Sequence, residues 1–143
     1  MTSFERAKVS PLFSPSLAIP ASADQLPVLR ATVRTVAAQC RPSLDALADL
    51  VLAVNEAATI LINHAGLSSV LVCAFANVAE PTRLRITLSA NITLPIDASI
   101  SSFEWFVLKA LVDHVGLDQK PGTSGGGELS ATIIMEKALQ TGP

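Results

Sequence analysis

The sequence predicts an α/β two-layer sandwich, in which a mixed, mostly antiparallel sheet is covered by helices on one face. Three observations lead there. Helix-period and strand-period segments follow the order strand, helix, helix, strand, strand, helix, strand, with no internal repeat and no regular βαβ alternation. In "TRLRITLSA", Leu84, Ile86 and Leu88 alternate with Arg83, Arg85 and Thr87, which gives a strand one buried and one wet face. Half of the 143 residues are apolar, enough for one domain that buries roughly two thirds of its unfolded surface.

Taken in order, "SLAIP" reads as an edge strand, since proline is tolerated at strand ends and edges. "SADQLPVLRATVRTVAAQC" places Leu26, Leu29, Val33 and Val36 at helical spacing, with Ser22 or Asp24 as caps and Pro27 confined to the first turn. This helix ends before Pro42. Ser43 caps a second helix whose core stripe is Leu47, Leu50, Val54, Ala57 and Leu61 and whose end falls near Gly66. "SSVLVCAFANV" and "TRLRITLSA" are strands joined by "AEP", and "NITLPIDASIS" is a loop or weak strand. Phe103, Val107, Leu111 and Val115, spaced by four, predict a third helix stopped by Gly116. "DQKPGTSGGG" reads as a flexible segment leading into a last strand, "ELSATIIME".

Composition excludes several function classes. Ten basic and twelve acidic side chains leave a net charge of -2, so nothing draws the chain as a whole to nucleic acid or an anionic membrane. With no Tyr and one Trp, platforms for stacking single-stranded bases are missing too. Cys40 and Cys73 belong to no Cys/His cluster, so a zinc site or disulfide framework has no support, and both read as reduced, buried thiols. "MTSFERAKVS" lacks a secretory apolar run, and the uncharged stretch from Ala65 to Ala79 is too short and too polar to span a bilayer. The expected compartment is the cytoplasm.

The second helix raises the functional question. At 100° per residue, Asp45, Asp49, Leu52, Glu56, Ile60 and Asn63 share the side opposite the core stripe. Leu52 and Ile60 make that side mixed. Spacing alone leaves two readings open: a solvated acid among tolerated aliphatics, or a helix with a pocket, loop or partner on its second side.

The wider segment "LADLVLAVNEAATILINHA" resembles a helix of the anti-sigma-factor serine kinases, small members of the histidine-kinase-like (GHKL) ATPase superfamily. The family pattern is approximately E-A-x-T-N-x-x-x-H-A, matched by Glu56, Ala57, Thr59, His64 and Ala65. "FEWFVLKALVDHV" is similar to the helix after the second glycine box, through Val107, Leu111, Asp113 and Val115, and "GGELSATIIMEKAL" resembles the last strand. The resemblance implies a histidine-kinase-like ATPase (Bergerat) fold over roughly residues 10–139, with a flexible N-terminus at 1–9 and a tail at 140–143. It also implies a sigma factor and an anti-anti-sigma factor as partners, and a homodimer.

Departures from the family define a degenerate ATP site at Glu56, Thr59, Ile60, Asn63, Asn91, Ser102 and Glu104. Ile60 stands where active members carry the Asn that holds magnesium, a hard cation that takes oxygen ligands. The Asp-x-Gly-x-Gly segment that reads adenine finds no glycine in "NITLPIDA", leaving Asn91 as a weak substitute. The second glycine box overlays Ser102, Phe103 and Glu104, and Glu104 opposes a triphosphate. Asn63 could replace the missing ligand, but it lies about 10.5 Å along the helix from Glu56.

The remaining candidates have weaker claims. Gly125 to Gly127 lack the strand-before-helix setting of a phosphate loop and read as a turn. His64 reads as satisfying helix-end carbonyls, and His114 as a surface residue. Arg30 and Arg34 form an i, i+4 basic strip on the first helix, either a solvated face or a partner contact. The expected function is a sigma-sequestering anti-sigma factor needing no cofactor and no metal. The enzyme alternative is a serine kinase using ATP and magnesium with Glu56 as catalytic base, and a third possibility is a scaffold subunit.

Overall fold

The Ser43 hydroxyl accepts a hydrogen bond from the Ala46 amide at 3.0 Å, satisfying a donor that helix geometry leaves open and starting the helix on which the rest is assembled. That helix, α2, runs Leu44–His64. The computed structural model describes residues 14–78, 83–98, 102–122 and 126–139. The other elements are β1 (Ser16–Pro20), α1 (Leu26–Ala38, entered through a 3-10 turn at Ala23–Gln25), β2 (Val70–Val78), β3 (Arg83–Ile92), α3 (Phe103–Leu111), β4 (His114–Pro121) and β5 (Leu129–Ala138). The segments expected to be a flexible N-terminus (1–9) and a tail (140–143), and the "AEP" connection, lie outside the described residues.

The strands form one sheet in the order β1-β2-β3-β5-β4, and every pair is antiparallel. Leu71, Cys73 and Phe75 of β2, Leu84, Ile86 and Leu88 of β3, and Ala131, Ile133 and Met135 of β5 are buried, as period two requires. α2 lies across β2, β3 and β5 with Leu50, Val54, Ala57 and Leu61 buried, and α1 and α3 flank it. Lys137 on β5 bonds Asp49 of α2 at 3.1 Å. Among the described residues no helix is long and apolar enough to cross a membrane.

Two expectations for the C-terminal half fail together. The third helix stops at Leu111, and the residues after it form a fifth strand where a helix end and a flexible segment are predicted. Its buried side chains are Trp105 and Leu108, followed by Val112, whereas Phe103 at the head of the expected stripe is 73% exposed. In "HVGLDQKP", Val115, Leu117 and Gln119 face inward between outward His114, Gly116, Asp118 and Lys120. Gly116 therefore sits inside β4, and Pro121 is tolerated because β4 is an edge strand.

Replacing the fully buried Leu61 by Ala is expected to destabilise the domain by about 2 to 5 kcal/mol, while Glu56→Gln stays within about 0.5 kcal/mol; equal shifts in denaturation midpoint would contradict this packing. Burial pushes the Cys73 thiol up to about 12, whereas the half-buried Cys40 is raised by a milder desolvation. Alkylation of the native protein should accordingly modify Cys40 first and reach Cys73 only on unfolding, as mass spectrometry would read out.

Candidate functional site

α2 turns one flank toward the start of α3, and the space between them is a cleft of about 540 Å³. Glu56, Thr59, Ile60, Asn63 and His64 come from α2, Ile96 and Asp97 from the loop after β3, and Ser102, Phe103 and Glu104 from the N-terminus of α3. Six of the seven residues expected at a degenerate ATP site are therefore together. The seventh, Asn91, is not among them. It lies at the outward-facing end of β3, where its carbonyl accepts from the Ser69 hydroxyl at 3.0 Å, because strand alternation turns it away from the helices.

The loop after β3 instead brings Asp97 into the cleft, a residue the sequence reading does not single out. A signal is present in the sequence, since "DASIS" keeps the spacing of the Asp-x-Gly-x-Gly pattern with serines at the glycine positions. The loop bearing Asp97 is held by an amide clamp. Gln119 of β4 accepts from the Ile96 amide at 2.8 Å and donates to the Ile96 carbonyl at 3.2 Å.

Several cleft side chains already have partners. The Thr59 hydroxyl donates to the Asn55 carbonyl at 2.8 Å, a back-bond within the helix. His64 Nδ1 lies 2.7 Å from the Ile60 carbonyl, so Nδ1 carries the proton and the ring serves the helix end. The Ser102 hydroxyl oxygen accepts from the Trp105 amide at 3.3 Å and caps α3, while Ser102 and Glu104 bond each other, also at 3.3 Å. Glu104 thus puts a negative charge on the first turn of α3, where an anion would otherwise be favoured.

Ile60 is 6% exposed and shares the buried cluster containing Ile96, Trp105 and Leu108. This resolves the mixed side of α2. Ile60 belongs to a second core contact with α3, while Leu52, two turns earlier, is 48% exposed.

Leu52 opens instead on a groove of about 430 Å³ between α1 and α2, walled by Leu44, Leu47, Val51 and Leu52, with Arg30 and Arg34 on its rim. The arginines are not two equally exposed charges. Arg34 is exposed, whereas Arg30 is half-buried and donates from Nη1 to Asn55 Oδ1 at 2.8 Å, tying α1 to α2.

The cleft residues do not fit magnesium triphosphate. Among the described residues the lining carries the carboxylates of Glu56, Asp97 and Glu104, includes no Lys, Arg or Gly, and presents the aliphatic Ile60, which cannot coordinate a hard cation. Among the described residues no group of His, Cys, Asp and Glu is arranged to hold a metal ion.

No protein-family profile matches the sequence, and no curated protein does. Among solved structures the chain is similar to the RsbU and RsbW domains of Rv1364c from Mycobacterium tuberculosis, with TM-score 0.57, 18% identity and 90% of this chain covered. It spans 35% of that chain. At this identity the likeness is one of fold, and the fold is the histidine-kinase-like ATPase sandwich.

The acidic lining predicts that calorimetric titration with Mg-ATP at millimolar nucleotide gives no binding heat. Micromolar affinity would mean that a phosphate site exists which these side chains do not provide.

Proposed function

We propose that this chain is a cytoplasmic anti-sigma factor, or a close regulatory relative, that sequesters a sigma factor by protein–protein binding and is released by an anti-anti-sigma partner. The observation that carries this reading is the α1/α2 groove. Its walls are apolar, Leu44 and Leu52 are largely open to solvent, and its rim charges are the positive Arg30 and Arg34. Such a groove suits an amphipathic helix with acidic residues at its margin. The fold likeness to a chain with an RsbW domain supports the same reading.

One observation favours an ATP-dependent serine kinase acting on the anti-anti-sigma factor as the alternative. Glu56 and Asp97 face a common cleft, with Glu56 available as general base. Ile60 and Glu104 weigh against it, because the reaction needs a metal and a triphosphate that both disfavour.

The double substitution Arg30→Glu, Arg34→Glu is expected to slow association with a sigma factor that binds the wild type in a surface-plasmon panel of the host's sigma factors. The difference should shrink as salt approaches about 1 M, where the Debye length is about 3 Å. Unchanged association at low salt with a binding sigma factor would remove the groove from the interface. Absence of binding to every sigma factor in the panel would overturn the function.

A further inference from the structure

Helix α3 turns two aromatic rings to solvent. Phe103 and Phe106, one turn apart on the same side, are 73% and 63% exposed, while Trp105 and Leu108 are buried. Among the described residues they are the only exposed aromatic side chains. A single exposed apolar side chain is ordinary, but two adjoining phenyl rings on a short helix form an apolar patch of the kind that marks a contact surface. The patch is continuous with the cleft, because Phe103 also lines it.

The charge of the cleft defines what such a surface would hold. Its lining carries the carboxylates of Glu56, Asp97 and Glu104 and no Lys or Arg. Among the described residues Glu56 forms no ion pair, and Glu104 bonds the neutral Ser102 hydroxyl at 3.3 Å. The one cation of α3, Lys109, lies in its last turn, away from the cleft. Ile60 and Ile96, each 6% exposed, add an apolar wall.

We propose that the cleft and the face formed by Phe103 and Phe106 together dock a basic segment of a partner protein, with one arginine of that segment in the cleft and an apolar neighbour on the rings. Arginine is the side chain that suits all of these surfaces at once. Its planar guanidinium pairs with carboxylates, stacks on an aromatic face such as Phe103 and gives up water more readily than an ammonium group. Its methylene stem packs against aliphatic walls. The receiving groups are already held in place. The Ser102 cap fixes the first turn of α3, and the Gln119 clamp fixes Ile96 beside Asp97, so little ordering is lost on binding. At about 540 Å³ the cleft is within the roughly 300–1,000 Å³ of ligand sites. It shares no residue with the α1/α2 groove, so this docking site stands or falls separately from the function proposed above.

Fluorescence anisotropy on the full chain, with a fluorescein-labelled peptide of alternating arginine and leucine, tests the proposal. At low salt the peptide should bind with a dissociation constant on the order of 10 μM that rises with salt, and NMR amide shifts should map to residues 56–64, 96–97 and 102–106. Glu56→Gln with Glu104→Gln should raise the constant at least about tenfold, and Phe103→Ala with Phe106→Ala should do the same through the apolar half of the contact. Asp24→Asn with Asp118→Asn, which removes the same charge from surfaces outside the cleft, should leave it within about twofold. The lysine–leucine counterpart should bind several-fold more weakly. Absence of binding at about 1 mM arginine peptide, equal weakening by the two carboxylate pairs, a lysine peptide that binds as tightly, or unchanged binding in the folded cleft variants would each overturn the proposal.

Discussion

The structure depends on the burial of α2 on three sides. The sheet lies beneath it, α1 and α3 lie beside it, and Ala53, Ala57 and Ala58 are fully buried where the helix meets its neighbours. Small side chains at these positions let elements approach closely, while Leu50, Val54 and Leu61 fill the space above the sheet. Neighbouring residues of one helix are thereby committed to different surfaces. Asn55 faces the groove and bonds Arg30, and Glu56, one residue on, faces the cleft.

Much of this is legible in the sequence because it depends on local periodicity. The edge strand Ser16–Pro20, the Ser43 cap and the buried alternation of β3 follow from residue pattern alone. The fifth strand is hidden for a physical reason. Val107, Leu111 and Val115 keep helical spacing into residues that pair as a strand, and only the partner β5 decides between the two periods. Gln, Lys, Pro and Gly in that stretch resemble loop composition because an edge strand can carry them.

The site is legible where a helix carries it and illegible where a loop does. Glu56, Thr59, Ile60 and Asn63 share a helix flank, so a 100° step per residue is enough to bring them together. Asp97 lies on a loop whose path is fixed by the Gln119 clamp, a contact with the very strand that the residue pattern conceals. A chain read without β4 therefore loses the position of Asp97 as well, and Asn91, at the end of a strand that periodicity does reveal, fills the gap.

The side chains that make the cleft unsuited to a triphosphate are also locally stabilising. In the pattern α2 resembles, position 60 is an Asn serving a metal. Without a metal, an amide buried in the place of Ile60 would lack a partner at a cost of about 1 to 3 kcal/mol, whereas a buried aliphatic contributes about 1.5 to 3 kcal/mol. Glu104 at the first turn of α3 adds a few tenths to about 1 kcal/mol through the helix dipole. Ile60 holds α2 against α3, and Glu104 stabilises the first turn of α3 that faces it across the cleft. The same packing defines the α1/α2 groove, which is only as well shaped as the seating of the helix that forms one wall.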